Sequence, residues 1–171
     1  MNENPYQPPV ETDSIDDVDV HMQWAGIGPR LGAYLIDVLP ITLAIAFVYY
    51  FFLGFDATWE RYTNSSGDID ARVTFLSQRN QIRDLSFTVY LLYCALTECS
   101  ALQGTIGKKL LGIRVTDNNG QRLTIRRSFG RNSAKIISII PLGRGFLWAT
   151  WSKRKRGWHD MIAKTLVVKS S

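Results

Sequence analysis

Two acids, Asp37 and Glu98, lie inside long apolar runs, and that setting makes them the first candidates for chemistry. A carboxylate at bilayer depth costs roughly 2.5 to 3.5 kcal/mol even on the mildest insertion scale, so an intramembrane acid is a functional candidate by default. Such groups bind cations or carry protons. Pro40 lacks an N–H and crowds the carbonyl of Ile36, which predicts a kink and a loosened carbonyl one turn from Asp37. Proline is also common in membrane helices without any such role. Arg30 and Asp37 share a helix face but stand two turns, ~10.5 Å, apart, so Asp37 needs a partner from elsewhere. Glu98 would return on an antiparallel second helix to the level of Arg30, where it either pairs with Arg30 or reaches headgroup water.

Other chemistries find less support. Cys94 and Cys99 sit in an apolar run, at neither a metal-ligand spacing nor a disulfide spacing, and read as small hydrophobes. His159 has no Ser or Cys nucleophile, paired catalytic motif or metal-ligand spacing beside it, so no enzyme, metal or cofactor is expected. The stretch 104–109 lacks both the spacing between glycines and the Ser or Thr after the lysine that a phosphate loop requires.

The elements that must position these residues follow from hydropathy and charge. Residues 30–53 carry Asp37 as the one ionisable group after Arg30 and are long enough for a transmembrane helix. Residues 54–84 are polar and predict an extracytoplasmic loop with Trp59 and Tyr62 near the membrane edge; Ile69, Val73 and Leu76 at helical spacing lead out of it. Residues 85–102 form a second, shorter span. Around the turn at Asn119 and Gly120, residues 110–125 predict a cytoplasmic β-hairpin, and 165–169 a strand that pairs with it. Residues 128–151 hold Arg131, Lys135 and Arg144 and a break at Pro141; they predict a broken helix in or on the cytoplasmic leaflet, followed by a basic segment and strand over 152–169.

Charge is divided along the chain. Residues 1–23 carry six acids and no Lys or Arg and predict a disordered, Pro-rich tail, whereas 15 of the 20 basic residues follow Gln103. The basic part calls for an anionic partner, and beside membrane helices that partner is a lipid headgroup rather than nucleic acid. No signal-peptide pattern opens the sequence, so the first membrane helix is expected to direct insertion. The expected fold is thus a mainly α integral membrane domain over 24–169, with two transmembrane helices, a broken interfacial or re-entrant helix and a small cytoplasmic sheet.

Several of these stretches, in order, resemble the RDD family of small bacterial membrane proteins, named for an Arg and two Asp. Residues 29–37 are similar to its first helix and supply Arg30 and Asp37; residues 156–160 are similar to its closing motif and supply Asp160. Glu98 with the next two residues and Lys108 within 107–115 are similar to its central stretch, and Arg131 with Asn132 is similar to the helix that follows it. The resemblance implies a bacterial cytoplasmic membrane with both termini cytoplasmic, and little about activity beyond a suggested transport of ions or small solutes. Two readings follow. In one, an oligomer moves cations or small solutes, in the manner of sodium/proton exchange, with Asp37 and Glu98 as its acids. In the other, a non-transporting adaptor recruits a partner or anionic lipid. In both, Arg30, Asp37, Glu98, Arg144 and Asp160 are expected to cluster at the cytoplasmic face, supported by Arg131, Asn132 and Lys108. A homo-oligomer or larger membrane complex is expected, since two spans are few for a transporter.

Overall fold

The computed structural model describes residues 23–65, 67–139, 148–149, 152 and 155–170. Arg144, the break at Pro141 and the acidic tail through His21 lie outside them.

The first helix, α1 (Ile27–Phe52), is apolar on all sides, and only Ala33 and Asp37 of its 26 residues are buried. Leu39, Leu43, Phe47 and Phe51 are more than half exposed. So much apolar surface is unfavourable in water and at no cost in lipid, and among the described residues α1 is the one helix long and apolar enough to cross a membrane.

The stretch expected as a loop over 54–84 is helical instead. Gly54, at φ 71°, lets the chain reverse into α2 (Phe55–Asn64), and Asp68 then caps α3 (Ile69–Glu98) by accepting from the amides of Asp70 at 2.9 Å and Ala71 at 3.2 Å. With its first donors satisfied, the polar sequence runs as helix straight into the second apolar run. Tyr62 stacks on Phe75 at 4.3 Å and holds α2 against α3. The second run also stops earlier than residue 102. Ser100 donates from its hydroxyl to the carbonyl of Thr97 at 2.7 Å, and α3 ends at Glu98.

Helices α1 and α3 are antiparallel neighbours: Tyr34 meets Tyr90 edge-on at 5.3 Å near one end, and Phe55, just beyond α1, meets Phe75 at 5.9 Å near the other. The short α4 (Ile106–Leu110), capped by Thr105, crosses α1 at Asp37. Strand β1 (Ile113–Asp117) pairs antiparallel with β2 (Thr165–Lys169), Val115 opposite Val167. The lead into α1 extends this sheet, since Ala25 donates to the carbonyl of Val167 at 2.9 Å and Lys169 to that of Gln23 at 2.8 Å. Ala25, Ala33, Ile113, Val115, Leu123 and Val167 form the apolar core beneath.

The hairpin expected over 110–125 is only half present. Asp117 does make the turn, its carboxylate accepting from the amides of Asn119 and Gln121 at 2.9 and 2.8 Å. Beyond the turn, Gln121 accepts from the Asp117 amide at 2.9 Å on the edge of β1 away from β2, but the next position on that edge is taken by Gln103, whose carbonyl accepts from Val115 at 2.7 Å. Residues 121–124 therefore carry no strand, and the expected partnership of 165–169 with the hairpin is made through β1 alone. Helix α5 (Ile125–Ile139) is the described part of the expected broken helix, and α6 (Trp158–Ile162) leads into β2.

The α1–α4 crossing depends on a residue without a side chain. A Cβ on Gly107 would run into the carbonyl oxygen of Ala33 and come within 2.9 Å of the Asp37 carboxylate. Gly107→Ala is therefore expected to force α4 off α1 and destabilise the protein by about 1–3 kcal/mol, as overpacking does. Thermal unfolding in detergent checks this, with Gly28→Ala, which meets nothing within 4 Å, as the neutral control.

Candidate functional site: a buried ionic network

Helix α5 buries its polar face. Ser128, Arg131, Asn132 and Lys135 follow the i, i+3, i+4, i+7 spacing of one helical stripe and are all buried, while Ile125, Phe129 and Ile136 point outward. The stripe packs on the end of α3, where the Ser128 hydroxyl donates to the carbonyl of Ala95 at 2.7 Å.

Arg131 is the centre of what that face meets. Its guanidinium reaches Asp160 from Nε and Nη2, at 2.9 and 2.8 Å from Oδ1, and Glu98 from Nη1, at 2.6 Å from Oε2. The Nη1 contact is ionic in character, because the N–H does not point along the hydrogen-bond direction. Glu98, fully buried, also pairs with the Lys108 ammonium and accepts from the Asn132 amide at 3.0 Å, and Lys135 stands 4.0 Å away. Asp160, equally buried, takes a second guanidinium: Arg30 Nη1 lies 2.5 Å from Oδ2, and the Gly157 amide donates to the same oxygen at 3.2 Å. Arg30 spends its remaining donors on the carbonyls of Lys155 at 2.6 Å and Ala25 at 3.3 Å. One continuous network thus joins α1, α3, α4, α5 and α6.

The expected cluster is partly realised. Arg30, Glu98 and Asp160 share the network, with Lys108, Arg131 and Asn132 in it as anticipated. The expected Arg30–Glu98 pair is replaced: Arg30 turns to Asp160, and Glu98 is held by Lys108 and Arg131. The reason is supply, since three cations from α4 and α5 crowd Glu98 before α1 can contribute one. Asp37 stands apart. Its Oδ1 accepts from the Gly107 amide at 2.8 Å, and among the described residues its Oδ2 has no hydrogen-bond partner. Lys135, expected as one of the basic residues facing the leaflet rather than as part of the cluster, is buried in it, and its place seven residues after Ser128 on a stripe with Arg131 and Asn132 carries the signal.

Burial alone would raise the pKa of Asp160, but Arg131 above all, with Arg30, holds it well below the usual carboxylate range. Arg131 is raised further above its ordinary value, because Glu98 and Asp160 outweigh its own desolvation. His159, beside Asp160 at 3.3 Å, is driven down to about 3, mainly by burial, with Arg131 adding to the shift and Asp160 opposing it. Its imidazole is neutral at physiological pH. Among the described residues no group of three or more His, Cys, Asp or Glu is placed to hold a metal, and Cys94 and Cys99 are free thiols. The arrangement suits fixing elements to one another, and holding an anion, better than binding a cation at Glu98 or Asp160.

The model of the RDD family matches residues 24–164. An uncharacterised protein, YxaI of Bacillus subtilis, is 38% identical over 84 residues, which cover 49% of this chain and 55% of that protein. The matched stretch therefore spans about half the length of this curated relative. No solved structure matches.

Two outcomes test the network. Arg131→Met takes one cation from each of two buried carboxylates, leaving Lys108 on Glu98 and Arg30 on Asp160, and is expected to cost about 3–5 kcal/mol of stability, more than Arg30→Met, which weakens Asp160 alone; chemical denaturation in detergent ranks the two. For His159 the folded pKa of about 3 lies below the 6.5 of the free side chain. As pH falls below 6.5 the unfolded chain takes up a proton that the folded one refuses, so stability is full above 6.5 and declines towards 3. The Asp160 contribution has the opposite origin, is present above the ordinary Asp range and fails only below it. Between pH 6.5 and 4.5, unfolding curves should therefore weaken with a slope that His159→Gln removes.

Proposed function

Because the chain belongs to the RDD family and its first helix is long and apolar enough to cross a membrane, we propose that it is an integral membrane adaptor, anchored by α1 and the apolar half of α3, that engages anionic lipid and a partner protein from one face. The observation that carries this reading is the saturation of Glu98 and Asp160: each fully buried acid is met by two or more cations, so neither is free to take up sodium or a proton in exchange. The network then serves to fix α1 and α3 to the sheet and to α5. The concentration of 15 of the 20 basic residues after Gln103 supports, under the positive-inside rule, a cytoplasmic position for that side, next to anionic headgroups. The six acids of residues 1–23 supply a complementary element for a basic partner.

A second reading rests on Asp37. One oxygen of this buried carboxylate has no partner among the described residues, one turn from Pro40, and in an oligomer that oxygen is the place for a transported cation or proton. Ion flux in proteoliposomes under imposed sodium and proton gradients separates the two. The adaptor reading expects no flux above protein-free vesicles, for the intact protein and for Asp37→Asn alike. Flux present in the intact protein and lost in Asp37→Asn, with insertion unchanged, would replace it by transport.

A further inference from the structure

Among the described residues the network is charged out of balance. Arg30, Lys108, Arg131 and Lys135 surround Glu98 and Asp160, four cations against two acids, and the neighbouring His159 is neutral at physiological pH. The excess is located at Lys135. This ammonium has three donors, and among the described residues it makes no hydrogen bond: the Glu98 oxygen is 4.0 Å away, and the Tyr90 ring centroid is 5.3 Å beneath it. Only 7% of Lys135 is exposed, so water does not solvate it freely.

All four cations line one cavity of about 320 Å³, a volume within the range of small-ligand pockets. Its other walls are apolar and aromatic, with Leu31 and Tyr34 from α1 facing Phe87 from α3. Leu31 is 54% exposed and Tyr34 38%, on the apolar surface of α1, so the cavity meets the surface that α1 offers to lipid. A buried cation, Lys135, among apolar walls matches an anion that carries a hydrocarbon tail. The charge alone would accept any phosphate, free or lipid-borne; the walls would leave a free, strongly hydrated phosphate with no partner for its water shell and would pack against an acyl chain.

We propose that this cavity binds the phosphate of an anionic phospholipid, with Lys135 as its principal ligand and the acyl chain lying against Leu31, Tyr34 and Phe87. The site rests on the membrane reading above and gives the lipid contact of that reading a specific place, distinct from general attraction of the basic surface. It also gives an anionic partner to Lys135, the cation that the buried acids leave without a hydrogen bond.

The test uses the full-length protein in neutral detergent, titrated with phosphatidylglycerol, phosphatidylcholine and glycerol phosphate, with bound lipid counted by native mass spectrometry. Expected is one tightly retained phosphatidylglycerol, with Lys135→Gln weakening its affinity about tenfold, the scale of one charge-assisted hydrogen bond, at an unchanged lipid-free melting temperature. Leu31→Trp, which fills the mouth of the cavity without touching the network, is expected to weaken phosphatidylglycerol as well, and it keeps the test valid should Lys135→Gln fail to fold. Equal affinity for phosphatidylglycerol and phosphatidylcholine, or affinity unaffected by both variants, would overturn the site. Competition by glycerol phosphate at matching concentration would reassign it to a free phosphate and overturn the phospholipid assignment. None of these outcomes alters ion flux, on which the adaptor reading stands or falls.

Discussion

Asp160 is fully buried and takes guanidinium groups from two directions, Arg30 at the start of α1 and Arg131 in the middle of α5. The first of these contacts joins residues 130 apart in sequence, and it does so just before the chain enters β2. Beside it, the lead into α1 hydrogen-bonds to the outer edge of β2. The two ends of the domain are therefore closed on one another twice, once through charge and once through backbone. An isolated carboxylate in this position would be expelled or protonated; with two guanidinium groups it becomes a fixed point around which five elements are arranged. Removing either the acid or Arg131 would leave like charges facing each other without screening by water, which is why the network acts as a unit.

That arrangement explains an apparent reversal in the packing. In a water-soluble domain the apolar stripe of a helix faces the core. Here α5 turns Ser128, Arg131, Asn132 and Lys135 inward and Ile125, Phe129 and Ile136 outward, and α1 buries Ala33 and Asp37 while exposing Leu39, Leu43 and Phe47. The largest buried side chains include Glu98 and Asn132 beside Leu166 and Val115. Such a molecule is assembled from its polar contacts, with apolar surface left for a surrounding medium that does not penalise it. The small apolar core of Ala25, Ile113, Val115, Leu123 and Val167 is confined to the sheet side, where that medium is not needed.

The sequence made some of this legible because the signal was local. Apolar length located α1, the Asp-Asn-Asn-Gly pattern located the turn after β1, and β-branched residues located both strands. What it could not supply was competition between distant partners. A strand over 121–125 is what its own residues suggest, yet after the single bond from Asp117 to Gln121 the free edge of β1 passes to Gln103, and the other edge belongs to β2. Glu98 and Arg30 were a reasonable pair from helix geometry, yet Lys108 and Arg131 reach Glu98 and Asp160 claims Arg30. The start of α3 was legible from Ile69, Val73 and Leu76 at helical spacing, whereas α2 over 55–64 was hidden by its polarity. Of the cluster residues, Arg30, Glu98 and Asp160 were found, while Lys135 was read as facing the leaflet because a lysine in a basic, amphipathic segment is normally a solvated residue.

The three buried acids now separate by environment. Glu98 and Asp160 have cations within contact distance and are structural anchors; Asp37 has a single backbone amide from Gly107 and one oxygen without a partner among the described residues. The same sequence feature, an acid in an apolar run, therefore supports opposite roles. Intramembrane acidity marks a residue as costly, but only its partners decide whether that cost is met internally or left for a ligand. What is left over is the Lys135 ammonium over the Tyr90 ring and one Asp37 oxygen at the α1–α4 crossing. A domain built this way holds its own helices by the balanced part of its charge and keeps the unbalanced part for whatever binds it.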